Sequence, residues 1–209
     1  MSAGIRSALG LALHALSLAG IVLLVPACYQ NRVTRIDPAQ VTDLSGRWND
    51  TDSRLVANKL IEQSLGGDWV RRYVDSHGGE APTVIVGDIS NRTMDHIPVG
   101  TFVKDLERAF VVSGAVRVVA SADERQDVRA ERQDQQQHAR ADSRARLAQE
   151  QGARYMLQGE VQAIEYGQSR EKVVYYQVDA TLIDLESNAK VWVGQEKIKK
   201  YIERRPLGL

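Results

Sequence analysis

Three observations predict an α+β domain built on a small, mostly antiparallel sheet flanked by helices. The last third of the 209-residue chain alternates apolar and polar residues with period two, in three runs joined by short turns. The middle holds one strong helical repeat: Val99, Phe102, Val103, Leu106 and Phe110 recur at i, i+3, i+4, i+7 and i+11. Ahead of that repeat, Thr83-Val-Ile-Val-Gly-Asp-Ile89 is short and rich in β-branched residues, the pattern of a strand. Helices early and a meander late fit a sheet with helices on one or both faces.

Composition removes several function classes. Lys plus Arg number 27 and Asp plus Glu 27, so no global positive charge faces a phosphate backbone and nucleic acid is not a predicted partner. One cysteine excludes an intrachain disulfide and any site built from several thiolates.

The first 27 residues are unlike the rest. They contain one charge, Arg6, no acid, and 18 residues of the apolar set. A positive start, an apolar run and a small residue before a cut describe an export signal, Met1 to Ala27. Val25-Pro26-Ala27-Cys28 resembles the lipobox of bacterial lipoproteins, with Pro26 where a small residue is usual. That resemblance implies cleavage between Ala27 and Cys28, a diacylglycerol thioether on Cys28, and acylation of its new amino group by a fatty acid such as palmitate. The same run is about long enough for an uncleaved span of ~18 residues; the cysteine at its end favours the lipoprotein. Three acyl chains exceed the two signals that stable anchoring needs. Tyr29, rather than Asp, follows Cys28, which favours the periplasmic face of the outer membrane.

Residues 28–46 read as the lipidated N-terminus and a polar tether with one proline, Pro38. Tyr29 to Gly46, fully extended, reaches about 60 Å. The domain is expected over residues 47–209. Asp52-Ser53 can cap a helix carrying Leu55, Val56, Leu60 and Leu65, broken at Gly66-Gly67. Trp69, Val70, Tyr73 and Val74 form a second short apolar face. Thr83–Ile89 reads as a central strand covered on both faces. Pro98 suits the first turn of the strong helix, which Ser113-Gly114 closes, and Val116–Ala120 is a short strand. Ser121-Ala-Asp-Glu124 has the form of a capping box. The charged stretch it opens reads as one long or two shorter exposed helices ending at Gly152, with a break near His138 to Asp142. In the meander, Tyr155, Leu157, Val161 and Ala163 share one face, as do Val174, Tyr176, Val178, Ala180 and Leu182. The third run holds Val191, Trp192, Val193, Ile198 and Ile202.

Catalytic motifs are absent: there is no phosphate-binding Gly-Lys-Ser/Thr loop, dinucleotide fingerprint, Gly-x-Ser-x-Gly or His-Glu-x-x-His. His77, His96 and His138 lack metal-ligand spacing, and no motif calls for a cofactor. Asp88 and Asp95 flank a polar loop and read as turn formers rather than an acid–base pair. Two surfaces remain. The loop Asn91-Arg92-Thr93-Met94-Asp95-His96 is either a partner-binding loop or a connection in which Asn and Thr satisfy backbone groups. The basic cluster Lys197, Lys199, Lys200, Arg204 and Arg205 either meets an anionic partner or protects an edge strand.

Val86-Gly-Asp-Ile-Ser-Asn-Arg-Thr-Met-Asp-His-Ile97, Phe110-Val-Val-Ser-Gly114 and Gln151-Gly-Ala-Arg-Tyr-Met-Leu-Gln-Gly159 together resemble the LpoB-type activators of penicillin-binding proteins. The last of these motifs is also similar to TolB-N-terminal-like and curli-secretion-like domains. The resemblance covers about Asp52 to Ile202. It implies a non-enzymatic outer-membrane lipoprotein that stimulates a bifunctional peptidoglycan synthase, a class A penicillin-binding protein, and so regulates cell-wall synthesis and cell shape. It makes Asn91, Arg92, Thr93, Asp95 and His96 the candidate contacts, with peptidoglycan a further candidate partner. The alternative is an envelope structural or secretion-accessory lipoprotein using the same fold. The family's long, proline-rich tether has no counterpart here.

Overall fold

The structure, a computed structural model, describes residues 32–147 and 149–204. The expected signal segment, Ala27, Cys28 and Arg205 lie outside the described residues. The chain divides into two units, 1–38 and 39–209. In the first, residues 32–37 form no helix or strand.

The second unit is α+β. In chain order it contains α1 (Asp50–Leu65), α2 (Asp68–Ser76), β1 (Thr83–Asn91), α3 (Val99–Ser113), β2 (Arg117–Val118), α4 (Ala122–His138), β3 (Tyr155–Gln168), β4 (Glu171–Asp184) and β5 (Lys190–Glu203). The sheet order is β2-β1-β3-β4-β5. The predicted meander is present: β4 runs antiparallel to both β3 and β5. The sheet as a whole is mixed, because β1 pairs parallel with β2 and with β3. A return through α3 or α4 brings each next strand back in the same direction, as parallel pairing requires.

Strand β1 is neither central nor covered on both faces. Thr83, Val84, Val86 and Ile89 are buried while Asp88 is exposed. The register with β3 shifts between Val86 and Ile89. This irregularity turns Asp88 outward and keeps Ile89 in the core. The predicted strand at Val116–Ala120 shrinks to two residues.

The period-two reading of the meander matches its register. Leu157 lies opposite Leu182, Val161 opposite Val178 and Ala163 opposite Tyr176. These residues form one inner face, and α1, α2 and α3 cover it. Val56, Leu60 and Ile61 of α1 meet Phe102, Leu106 and Phe110 of α3 above the sheet. Burying each large apolar side chain contributes roughly 1.5–3 kcal/mol. Tyr155 receives α2 through edge-to-face contacts with Trp69 and Tyr73, at 5.2 and 5.8 Å between ring centres. Gly159 lies opposite Ala180, where any Cβ would strike the backbone carbonyl of Asp179.

Helix α1 is capped three residues earlier than the expected Asp52. Asn49 is the N-cap: its side chain accepts from Asp52 N at 3.0 Å, and the Asp52 carboxylate accepts from Asn49 N at 2.9 Å. Pro98 caps α3 rather than filling its first turn. The capping box at Ser121 and Glu124 forms. The helix it opens ends at His138 with no buried residue, and 139–147 and 149–150 are turns and irregular chain. That stretch offers no apolar face to hold a second helix against the core.

Lys200 leaves the basic surface to which the sequence reading assigned it. It shares the inner parity of Ile198 and Ile202, and its side chain is 11% exposed. Its Nζ donates to Asp52 at 2.6 Å, Asp43 at 3.0 Å and the Arg47 carbonyl at 3.1 Å. The Lys200 hydrogen bond holds the Asp43 carboxyl below its ordinary range. Lys197 and Lys199 stay exposed on the edge strand. Lys200→Met should therefore destabilise the domain by about 3–5 kcal/mol, because Asp52 is left buried and unpaired. Lys197→Met should stay within about 0.5 kcal/mol. Urea unfolding followed by circular dichroism checks both.

Candidate partner-binding loop

Residues 91–97 leave the end of β1 and cross to the start of α3. Arg92 N donates to Val161 O at 2.8 Å, extending the parallel ladder by one bond before the chain turns away. Asn91 then organises the turn: its Oδ1 accepts from Thr93 N at 2.9 Å and Thr93 Oγ1 at 2.8 Å, and its Nδ2 donates to Asp95 O at 2.8 Å. Thr93 Oγ1 also accepts from Asp95 N at 3.1 Å. A short polar side chain bonding the backbone two residues on is what makes Asn and Thr good turn formers. Ile97 anchors the far end in the core.

Asp95 is more than a turn former. Its Oδ2 accepts the hydroxyl proton of Tyr176, a fully buried side chain on β4, and Arg47 Nε lies 3.9 Å from its Oδ1. The Tyr176 oxygen in turn accepts from Trp48 N at 3.1 Å and lies 3.3 Å from Gly46 O. The phenol has one proton, and the carboxylate, the stronger acceptor, takes it. Trp48 packs edge-on against Tyr176 and Phe102 at 5.5 and 5.9 Å, with its ring nitrogen donating to Ser53 at 2.7 Å. One buried phenol thus ties the loop to the segment that enters α1. Burial, then the hydrogen bond and negative charge of Asp95, push the Tyr176 pKa up.

The structure thus joins Asn91, Thr93 and Asp95 in one hydrogen-bonded turn and turns the other side chains outward. Arg92 is exposed, with Nε 3.7 Å from Glu160; Met94 and His96 are exposed. Asn91, Thr93 and Asp95 build the loop, and Arg92, Met94 and His96 lie on its exposed side. Sequence reasoning missed Tyr176, Arg47, Trp48 and Glu160 as parts of this site. Among the described residues no group of three His, Cys, Asp or Glu side chains could hold a metal ion, and no helix is long and apolar enough to cross a membrane.

The architecture is a small mixed sheet with helices over its inner face and a hydrogen-bonded polar loop at the end of its first strand. The chain belongs to the peptidoglycan-synthase activator LpoB family, whose family model matches residues 52–198. It is similar to the C-terminal domain of LpoB from Escherichia coli, with 18% identity, 71% of this chain and 99% of that chain covered, and a TM-score of 0.41. The LpoB C-terminal domain from Salmonella enterica gives 16% identity, 71% and 99% coverage, and 0.39. Lipoprotein GNA1162 from Neisseria meningitidis gives 17%, 57% and 83%, and 0.36. No curated protein matches the chain.

Tyr176→Phe should cost about 1–3 kcal/mol, since Asp95 loses its donor and Trp48 N its acceptor. Amide exchange in residues 92–96 should accelerate while that of β3 is unchanged. The raised phenol pKa sets the sign of the pH effect. Its stabilisation is complete below the ordinary value of about 10 and is lost as pH rises through the higher folded value. The wild type should therefore lose stability above about pH 10 that Tyr176→Phe does not lose, as measured by urea titration across that range.

Proposed function

We propose that this protein is an outer-membrane lipoprotein that binds and activates a class A penicillin-binding protein, without catalysis of its own. The observation that carries the reading is the loop 91–96 in a chain of the synthase-activator family. Its backbone is fixed from inside by Asn91, Thr93 and the Tyr176–Asp95 bond. Arg92, Met94 and His96 project outward. A contact surface that is rigid before binding loses little conformational entropy when a partner docks.

In this reading residues 1–27 are removed as a signal peptide and Cys28 carries the lipid. The mature protein faces the periplasm from the outer membrane, with residues 28–46 leading to a domain over 47–209. Asp43 and Gly46 already belong to the packed structure, so the chain between Cys28 and Asp43, fully extended, spans at most about 50 Å.

Residues 39–209, which keep Asp43 and Gly46, added to a class A synthase should raise its glycan polymerisation or crosslinking, read as product length and crosslink content. No change at saturating domain would overturn the proposal. Arg92→Glu should weaken binding by ~10-fold or more with no loss of stability, because the side chain is exposed and its partner Glu160 is only partly covered. Surface plasmon resonance and thermal unfolding check the pair. Cys28→Ser should abolish incorporation of labelled palmitate and leave the precursor uncut; retained label would refute the anchor.

A further inference from the structure

Residues 42–47 reach Trp48 as a strap that forms no helix or strand. Asp43, Leu44, Ser45 and Arg47 are exposed, and Gly46 is buried. Gly46 sits so close to β4 and β5 that a Cβ there would strike the Ile202 side chain and touch Val174. Lys200 Nζ holds the strap at Asp43 and at the Arg47 carbonyl, and Asn49 Nδ2 donates to Asp43 at 2.7 Å. Against this seat stands Thr42, whose Oγ1 is buried with no hydrogen-bond partner among the described residues. Segments with few buried contacts open at the low end of a domain's stability. Trp48, the next residue, is fixed in the core by Phe102 and Ser53, so the strap can leave its seat with α1 and the sheet in place.

The seat lies against the bond that supports the 91–96 loop. Gly46 O and Trp48 N meet the Tyr176 oxygen at 3.3 and 3.1 Å, and Arg47 Nε is 3.9 Å from Asp95 Oδ1. With the strap in place Tyr176 is fully buried and the Asp95 side chain is 16% exposed. Asn91 and Thr93 tie the loop to itself; the Asp95 carboxylate ties it to β4.

We propose that residues 42–47 regulate the loop. Seated, the strap shields the Tyr176–Asp95 bond and holds residues 93–95 in one conformation. Released, it admits water to the hydroxyl and removes Arg47 from the carboxylate. A hydrogen bond that competes with water contributes far less than one shielded from it, so the loop loosens while the domain stays folded. That this sets affinity for a synthase rests on the loop being the contact surface; the coupling of strap to loop does not.

Amide exchange of the full chain in detergent, resolved by residue, tests the coupling. Gly46→Val removes the close approach to Ile202, and Asp43→Ala removes the outer tie while Lys200 keeps Asp52. Each should speed exchange at residues 46–48 and at 93–95 by ~10-fold or more, with β3 and α3 within ~2-fold of wild type. Leu44→Ser, on the strap but 93% exposed, should change neither segment. Faster exchange at 46–48 with none at 93–95 overturns the proposal. So does a rise spread through β3 and α3, or a strap indifferent to both substitutions. With a synthase that binds the wild type, Gly46→Val should weaken binding ~10-fold, and equal binding overturns the regulatory role. A wild type that binds no synthase refutes the function assigned to the loop, and exchange still decides the coupling.

Discussion

A buried hydroxyl must satisfy its donor and its lone pairs within the protein, and at Tyr176 that requirement organises one side of the domain. The ring fills the inner face of β4 opposite Ala163, and the oxygen meets Asp95, Trp48 and Gly46. Three stretches distant in sequence, the entry to α1, the loop after β1 and the centre of the meander, therefore have to be in place together. Lys200, two residues beyond the position opposite Tyr176, repeats the arrangement with Asp43, Asp52 and Arg47. A paired, buried cation is costly to leave half satisfied, so this second network also rejects partial assembly.

The elements that could be read in the sequence are those whose physics is local. The inner faces of β3 and β4 follow from strict alternation, and α3 from the spacing of Phe102, Leu106 and Phe110. The helix opened by Ser121 was legible from its capping box, but its end was not. Residues 139–147 carry the same charged composition without the packing that would distinguish helix from irregular chain. Parallel pairing of β1 was illegible because strand direction is set by connections through α3 and α4, not by residues 83–91. The mixed sheet is the result.

The loop divides in the same way. That Asn91 and Thr93 would serve the backbone could be read from their short polar side chains. That Asp95 had a partner could not, since Tyr176 is 81 residues away and looked like one more inward aromatic. Lys200 left a usable signal: it stands between Ile198 and Ile202 at a spacing of two, and strand parity alone puts it on their face. Read as composition, the C-terminal lysines formed a patch; read as alternation, they separate into one inward and two outward residues.

Residues 43–48 have a consequence in mechanics. They are where the preceding chain enters the domain, so any pull on that chain is first resisted at Lys200 on β5 and Tyr176 on β4. Tyr176 is also the floor of the 91–96 loop through Asp95. Tension on that chain has a route to the 91–96 loop through the Tyr176 phenol. One of the two joints on the load path is also the support of the 91–96 loop.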